Sequence, residues 1–211
     1  MSAAYKDYGY QTAELGWAHS YLFQHLRAML GRTQGTILDL GCGNGAIARA
    51  LIAEGYDVFG VDASASGIAI ANAEAPGRFF VLDVSTGQLP AELAGKRFDV
   101  VISTEVIEHL YDPRGFIAFA RKILADGGEF IVSTPYHGYF KNVALAIAGK
   151  LDGHFTVLWD GGHIKFFSRK TLAQMLTEQG FEVTDFVGAG RVPFLWKSML
   201  VKARVASRKP T

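Results

Sequence analysis

Apolar residues follow a helical period near the N-terminus and form short runs after residue 35. Between Thr12 and Leu30 the helical period predicts a helix, preceded by a flexible segment at residues 5–10. The later runs predict strands at 36–40, 57–61, 79–82, 98–103 and 128–133. Helical spacing between these runs predicts helices at 45–54, 65–74 and 113–125. Alternating strands and helices indicate a parallel sheet with helices on both faces.

The last third of the chain continues this pattern with one long helix and two strands. The helix is predicted to begin at Ser168 and to end at Gly180, because serine caps helix starts and glycine favours helix ends. Apolar runs then predict strands at 181–187 and 195–205, which brings the predicted total to seven.

Residues 136–162 interrupt the alternation of strands and helices. An apolar stripe at helical spacing runs through them and consists of Phe140, Val143, Ala144, Ile147 and Leu151. One interpretation is a helix that packs on the sheet edge; the other is a lid over a binding site that also contacts a membrane surface. We therefore divide the chain into an N-terminal helical cap at 1–35 and a main domain at 36–211 that contains this insertion.

Composition narrows the class of protein. With 211 residues, 49% of them apolar, the chain is long enough for one sizeable domain. No stretch approaches the roughly 18 apolar residues that span a bilayer, so we expect a cytoplasmic protein. The single cysteine, Cys42, excludes an intramolecular disulfide framework and is expected to fill a small-residue packing position.

Charge is distributed unevenly although the formal net charge is only +1. Residues 191–211 contain six Lys or Arg and no acidic residue, whereas residues 1–190 have an excess of acids. Such a basic stretch is expected to be a solvated terminus, with contact to anionic lipid as the alternative. Nothing else in the sequence is typical of a nucleic-acid-binding protein.

The most informative segment is residues 37–45, where a glycine loop directly follows an apolar strand. Asp39 precedes the first glycine by two residues, and a carboxylate there would repel the pyrophosphate of a bound dinucleotide. It would instead favour a cationic ligand such as S-adenosylmethionine, which has an ammonium and a sulfonium group. Gly41, Gly43 and Gly45 would let the backbone approach that ligand closely.

This segment resembles the motif of the class I S-adenosylmethionine-dependent methyltransferases, hydrophobic-Asp-hydrophobic-Gly-x-Gly-x-Gly, without departure. The resemblance extends from about residue 36 onward. It implies an α/β fold with a Rossmann-like seven-stranded sheet, six strands parallel and the seventh inserted antiparallel beside the fifth. The relaxed dinucleotide pattern Gly41-x-Gly43-x-x-Ala46 is also satisfied, so an NAD-dependent oxidoreductase remains an alternative.

Two more predicted strands are followed by Asp. Asp62 comes 23 residues after Asp39, close to the offset at which an acid reaches ribose hydroxyls. The resemblance implies that Asp83 accepts a hydrogen bond from the adenine amino group and that the Val84 backbone contacts the ring. Each Asp alone would be explained by loop capping. The remaining predicted cofactor contacts are Cys42, Ala63 and Glu105.

After the fourth strand, Glu105, Glu108 and His109 occur at offsets 0, 3 and 4, a spacing that suits one helical face. The run resembles the Glu-x-x-Glu-His of the ubiquinone-biosynthesis O-methyltransferases, which implies a divalent cation that holds a pair of neighbouring hydroxyls. Similar runs occur in many methyltransferases without a metal, where the first Glu borders the cofactor and the His lines the pocket. We therefore predict no metal and keep these three residues as the alternative ligand set.

Three histidines are candidate bases. Gly161-Gly162-His163 resembles a Gly-Thr-His segment of the same O-methyltransferases, with Gly162 in place of the threonine. We expect His163 near the carboxyl ends of the strands and rank it first, His109 second and His137 third. The alternative for His163 is a hydrogen bond to a loop carbonyl.

The leading hypothesis is an S-adenosylmethionine-dependent methyltransferase that acts on an oxygen of a small hydroxylated or aromatic acceptor. N- or C-methylation and NAD-dependent oxidation are the catalytic alternatives. From a different class comes a membrane-surface or interaction module that works through residues 140–151 and the basic C-terminal stretch. No nucleic-acid partner is expected, and the sequence does not predict an oligomeric state.

Overall fold

The computed structural model describes residues 9–14, 16–31, 34–155, 158–159 and 161–206. Its strands are β1 Thr36–Leu40, β2 Asp57–Asp62, β3 Phe79–Val81, β4 Phe98–Thr104, β5 Leu124–Pro135, β6 Phe181–Ala189 and β7 Ser198–Val205. Its helices are α1 Trp17–Leu30, α2 Ala46–Ala53, α3 Ala65–Glu74, α4 Pro113–Ile123, α5 Tyr139–Ile147, α6 Leu151–Phe155 and α7 Arg169–Glu178.

All seven strands belong to one sheet in the order β3-β2-β1-β4-β5-β7-β6. β1 pairs in parallel with both β2 and β4, and β7 lies antiparallel between β5 and β6. The predicted Rossmann-like sheet of six parallel strands and one antiparallel strand is therefore confirmed. The strand order reverses between β1 and β4, and such sheets bind ligands outside the carboxyl ends of the strands at this point.

The core occupies both faces of the sheet because strand side chains alternate between them. Leu38 packs on one face with α4 and α7, in a cluster that includes Phe130 and Leu172. Its neighbour Ile37 packs on the other face with α1 and α2, in a cluster that includes Leu26 and Leu51. The sheet is thus covered by helices on both sides, which fixes the strand ends that border the site.

The N-terminal helix begins at Trp17, five residues later than the predicted start at Thr12. Residues 9–14 instead cross the glycine loop, where the side-chain amide of Asn44 donates to the carbonyl oxygens of Thr12 at 2.8 Å and Glu14 at 3.0 Å. Carbonyl groups bound in this way are not available as helix acceptors. Leu15, part of the predicted apolar stripe, lies outside the described residues.

The insertion is helical, as its apolar spacing predicts, and forms α5 and α6. The apolar stripe does not pack on the sheet edge, however, because Phe140, Val143 and Ile147 are exposed. Lys141, in contrast, is buried. The packed-helix interpretation of this stripe is therefore wrong, while the lid interpretation stays a prediction.

Part of the basic C-terminal stretch belongs to the sheet instead of forming a solvated terminus. Two of its described cations, Lys202 and Arg204, belong to β7 and form ion pairs with Glu129 at 2.8 Å and Glu182 at 3.0 Å. Residues 207–211 lie outside the described residues. Within the described part of the chain, no helix combines the length and apolarity needed to cross a membrane.

Candidate active site

The carboxyl ends of β1 to β5 border one large cavity of about 2050 Å³. The glycine loop, the turns after β2, β3 and β4, and residues of the insertion form its wall. A smaller cavity of about 970 Å³ lies at the opposite end of the strands, beside Arg97 and Arg121 where β4 and β5 begin, and contains none of the predicted site residues. Most of the predicted site residues therefore line the larger cavity, whereas Gly45 and His137 are not among its lining residues.

The glycine loop turns sharply away from β1. The amides of Gly41 and Cys42 both donate to the carbonyl oxygen of Val61, at 2.8 and 3.0 Å. Gly45 has a φ of 72° where it precedes α2, a conformation that glycine adopts without strain. A Cβ atom at Gly45 would lie 2.7 Å from that of Ala71, so α2 and α3 could not approach this closely around another residue.

Asp62, at the end of β2, holds this loop in place. Its Oδ2 atom accepts a hydrogen bond from the Gly43 amide at 2.8 Å, and its Oδ1 atom accepts one from the Ser64 amide at 2.7 Å. These two contacts hold the Asp62 carboxylate between the glycine loop and the start of α3. Asp62 and Ala63 both line the cavity.

Asp39, near the end of β1, is only 1% exposed although it lines the cavity. Its Oδ1 atom has no hydrogen-bond partner among the described residues. Burial, and secondarily the charge of Asp62, raise the pKa of Asp39 to about 8. Burial likewise raises the pKa of the neighbouring Cys42 thiol well above its usual range. A cationic ligand group at Asp39 would satisfy the unpaired oxygen and stabilise the ionised carboxylate.

Asp83 follows β3 and combines a capping role with a place on the cavity wall. Its Oδ1 atom accepts from the Ser85 amide at 2.9 Å and caps a short 3₁₀ turn at Val84–Thr86. The side chain is nevertheless exposed, and both Asp83 and Val84 line the cavity. The acids at the carboxyl ends of β1, β2 and β3 therefore border one cavity, as the sequence predicts.

Glu105 has an unusual backbone conformation, with a φ of 56°, directly after β4. Its Oε1 atom accepts from Ser133 Oγ at 2.8 Å and its Oε2 atom accepts from Ser198 Oγ at 3.1 Å. Ser198 Oγ also lies 3.0 Å from the hydroxyl of Tyr21, which ties α1 to this network. Burial raises the pKa of Glu105 to about 7, although both serine hydrogen bonds oppose the rise.

Glu108, His109 and His163 form a compact group, in which one ligand atom from each residue lies within 4.8 Å of the others. Glu108 is fully buried, and neither carboxyl oxygen has a hydrogen-bond partner among the described residues. The backbone carbonyl of Glu108 accepts hydrogen bonds from the amides of Ile164 and Lys165, at 2.9 and 3.0 Å. These bonds join the Glu-x-x-Glu-His run to the segment that follows Gly-Gly-His.

This group differs from the alternative metal set predicted from the sequence. Residues 107–109 form a 3₁₀ turn instead of the expected helical face, and Glu105 is held by serines. His163 takes the third place beside Glu108 and His109. One carboxylate and two imidazoles are a suitable donor set for a borderline divalent ion.

His163 lines the cavity, with its ring centroid 4.9 Å from that of His109. Burial, followed by the charge of His109, lowers the pKa of His163 to about 4, so the ring is neutral at pH 7. The loop-carbonyl contact expected as the alternative for His163 is made by His109, whose Nδ1 atom lies 2.9 Å from the Gly161 carbonyl oxygen. His163 thus retains the geometry of a candidate base.

His137 occupies a different setting within the insertion. It is 8% exposed, its ring is stacked on Phe155 at 6.0 Å, and the His154 ring lies 5.1 Å away. Burial, and then the charge of Lys141, lower the pKa of His137 to about 3. His109 and His163 contribute to the described cavity lining, whereas His137 does not. The structure therefore separates the third-ranked base from the other two.

Tyr10 and Lys141 are two of the cavity residues that were not predicted from the sequence. Tyr10, within the segment expected to be flexible, donates its amide to Ser66 Oγ at 3.2 Å and lies against Gly43, where any Cβ would collide with its hydroxyl. Lys141 is buried on the cavity wall near β5 and β7, away from the glycine loop. The only sequence signal for Lys141 was a cation within an otherwise apolar stripe.

Known proteins resemble this chain in both sequence and fold. The profile of a family described as a methyltransferase domain matches residues 15–185. A ubiquinone biosynthesis O-methyltransferase from Cereibacter sphaeroides is 32% identical over 165 residues, which are 76% of this chain and 65% of that relative. The chain therefore spans about 65% of the length of this curated relative.

Solved structures match over most of the chain. An S-adenosylmethionine-dependent methyltransferase from Mesorhizobium loti aligns with a TM-score of 0.68 and 20% identity, over 90% of this chain and 98% of its own. The magnesium protoporphyrin IX methyltransferase from Synechocystis, with bound S-adenosylhomocysteine (SAH), aligns with a TM-score of 0.64 and 20% identity. The alignment covers 88% of this chain and 80% of that structure. These likenesses establish a shared fold. The family match extends from α1 into β6 and includes all three acidic strand ends, and the chain belongs to the methyltransferase-domain family.

Proposed function

We propose that this protein is an S-adenosylmethionine-dependent methyltransferase that methylates an oxygen of a small hydroxylated or aromatic acceptor. The unpaired Oδ1 atom of buried Asp39, beside the glycine loop, is the observation that carries the proposal. A dinucleotide would place anionic phosphates near this carboxyl group, whereas the methyl donor would place an ammonium there. Membership of the methyltransferase-domain family supports the same assignment.

The acidic strand ends would hold the donor in order along the sheet. Asp39 would accept from the amino group, Asp62 from the ribose hydroxyls, and Asp83 from the adenine amino group with the Val84 backbone beside the ring. The donor supplies a methyl group activated by its bond to a positively charged sulfur. Tyr10, which lies on the glycine loop, would cover this part of the cavity.

On the acceptor side, His163 would accept the proton that the acceptor hydroxyl loses as its oxygen bonds to the methyl carbon. A neutral imidazole on the cavity wall suits this role. General-base help of this kind contributes roughly 10²–10⁴-fold in rate, and alignment in the cavity can contribute on the order of 7–11 kcal/mol. The named relative, a ubiquinone biosynthesis O-methyltransferase, favours oxygen over nitrogen or carbon as the methylated atom.

A screen of small acceptors with isotopically labelled methyl donor tests this function. We expect label transfer to a hydroxylated aromatic compound that SAH inhibits. His163→Ala should reduce turnover, and His25→Ala on α1 is the matched control. Turnover that is insensitive to a chelator would remove the metal alternative at Glu108, His109 and His163, and unchanged turnover in His163→Ala would remove this residue as the base.

We also infer that the protein works at a membrane surface, through the exposed face of α5. Phe140 and Ile147 are exposed there, and the Phe140 ring lies 6.0 Å from that of Phe194, which extends the apolar surface beyond the helix. Ile147→Asp should abolish sedimentation with anionic vesicles. Val81→Asp, at an exposed apolar position on β3, is the control. Equal sedimentation of the two variants would contradict this inference.

A further inference from the structure

Lys141 is a buried cation at the acceptor end of the cavity. The side chain is 5% exposed, and its Nζ atom donates to the carbonyl oxygens of Tyr136 at 2.8 Å and Lys197 at 3.1 Å. These carbonyls lie just after β5 and just before β7. An ammonium group has three donors, so the two carbonyls leave one for a further partner.

No carboxylate among the described residues lies within 4.0 Å of Lys141. Glu105 is close enough to favour the charged lysine, but serines occupy both of its oxygens. Burial, and then the charge of Arg191, lower the pKa of Lys141 to about 8. A buried cation without a contacting anion is unfavourable, and an anionic ligand would relieve this cost.

Arg191 is a second cation on the same part of the cavity wall. Its side chain is exposed and forms no ion pair within the described part of the chain. Its charge lowers the pKa of both Lys141 and His154, and all three residues line the cavity. A buried cation and a rim cation thus face the same volume.

The start of α5 adds to the positive potential. Lys141 lies in the first turn of this helix, where the backbone dipole is positive and a cation is unfavourable. Gly138, the N-cap residue, has no side chain to accept from the free amides. The preceding His137 is more than nine-tenths buried, and neither of its ring nitrogens has a partner among the described residues. The start of α5 thus places a helix N-terminus without a side-chain cap beside the buried Lys141.

This positive region is separate from the acidic strand ends. Three acids, Asp39, Asp62 and Asp83, lie at the carboxyl ends of β1, β2 and β3. Lys141 instead contacts the backbone just after β5 and just before β7. Two strand spacings separate β1 from β5, or about 10 Å. The three Asp side chains thus lie at one end of the cavity, and the cations Lys141 and Arg191 lie at the other end, next to His163 and His154.

We propose that Lys141 and Arg191 form a carboxylate-binding subsite, so that the acceptor is an acidic compound that carries a carboxylate as well as the hydroxyl to be methylated. The proposal rests on the methyltransferase function proposed above. It names the substrate class and identifies Lys141 as a specificity-determining residue. Lys141 would bind the carboxylate inside the cavity, and Arg191 would bind it from the rim.

Calorimetry with a matched ligand pair tests this subsite on the full chain saturated with SAH. Catechol and 3,4-dihydroxybenzoate have the same two hydroxyls and differ only in the carboxylate. The proteins compared are the wild type, Lys141→Met, Arg191→Gln and the control Arg97→Gln. The control removes one charge just before β4, at the opposite end of the strands from the site. SAH binding by each protein is measured first and reports on folding and on the cofactor site.

We expect 3,4-dihydroxybenzoate to bind the wild type and Arg97→Gln at least tenfold more tightly than catechol. Lys141→Met should lose this preference while its affinity for SAH stays unchanged, and Arg191→Gln should reduce it severalfold. A carboxylate ligand that binds the wild type no better than catechol, or a preference that survives in Lys141→Met, would overturn the proposal. If Lys141→Met does not fold, an unchanged preference in the exposed-site variant Arg191→Gln overturns it. Failure of the wild type to bind SAH would instead contradict the proposed function.

Discussion

The Gly43 amide donates to the Asp62 carboxylate over 2.8 Å, and this contact joins the glycine loop after β1 to the end of β2. The same carboxylate accepts from the Ser64 amide just before α3. Asp62 therefore acts first on the shape of the loop. The offset of Asp62 from Asp39 predicts that the same carboxylate would also contact the ribose hydroxyls of a ligand.

Replacement of Asp62 should weaken cofactor binding through both effects. Hydrogen bonds to charged groups contribute about 1.5–3 kcal/mol each, so we expect Asp62→Asn to raise the Kd for SAH by at least tenfold in calorimetry. Asp57→Asn, at the other end of β2, is the control because Asp57 is paired with Arg78 away from the cavity. Equal affinities of the two variants would show that the Asp62 charge contributes nothing.

Asp39 should oppose the stability of the ligand-free protein. Burial raises its pKa from the usual 3.8 to about 8, so the folded state binds a proton more tightly than the unfolded state. Stability therefore falls as the pH rises from about 4 to about 8. We expect Asp39→Asn to raise the free energy of unfolding at pH 7.5 by on the order of 2 kcal/mol, with little effect at pH 4.

Urea denaturation of both proteins at the two pH values measures this difference. The variant should also lose SAH binding, since an amide does not provide a charged acceptor for the ammonium. Asp126→Asn, at an exposed position, is the control and should change neither property. A variant less stable than the wild type at pH 7.5 would contradict the electrostatic account of Asp39.

Local patterns predicted the fold and the meeting of the acidic strand ends well. Runs of Val, Ile and Leu located the seven strands. The Asp residues at the ends of β1, β2 and β3 were predicted to meet because the carboxyl ends of parallel strands lie on the same side of the sheet. Strand ends were less accurate. β5 begins at Leu124 instead of 128, since a bulge continues its pairing with β4 past two glycines.

Contacts between distant segments could not be predicted in the same way. Glu105 was grouped with Glu108 and His109 on a helical face, but its positive φ and the hydroxyls of Ser133 and Ser198 redirect its carboxylate. The pairing of the Glu108 carbonyl with Ile164 and Lys165 depends on how the insertion folds back. Sequence spacing contains no information on such closures.

His163 should behave as a base with a low pKa. Burial and the charge of His109 lower this pKa to about 4, so the neutral form predominates above about pH 5. We expect kcat of the wild type to be independent of this group from pH 5 upward. His163→Ala should lower kcat by roughly 10²–10⁴-fold, with a smaller change in KM. Restoration of turnover by added imidazole would support a proton-transfer role, whereas a wild-type rate would exclude one.

Cys42 should be unreactive in the folded protein. Burial, assisted by the charges of Asp39 and Asp62, raises the pKa of the thiol well above its usual range. Alkylating reagents react with the thiolate form, which is therefore scarce. We expect negligible modification by iodoacetamide at pH 8 in the native state and complete modification in urea, as followed by mass spectrometry. Rapid labelling of the native protein would show that the glycine loop is more open than described.

The most direct test of the whole account is calorimetric titration of the wild-type protein with SAH and, separately, with NAD. The unpaired carboxyl oxygen of Asp39 next to the glycine loop predicts saturable binding of SAH at a 1:1 ratio and no binding of NAD. Because Asp39 ionises when the ammonium binds, heats measured below pH 8 in buffers of different ionisation enthalpy should reveal proton release. Saturable binding of NAD, or the absence of binding by SAH, would contradict the central claim.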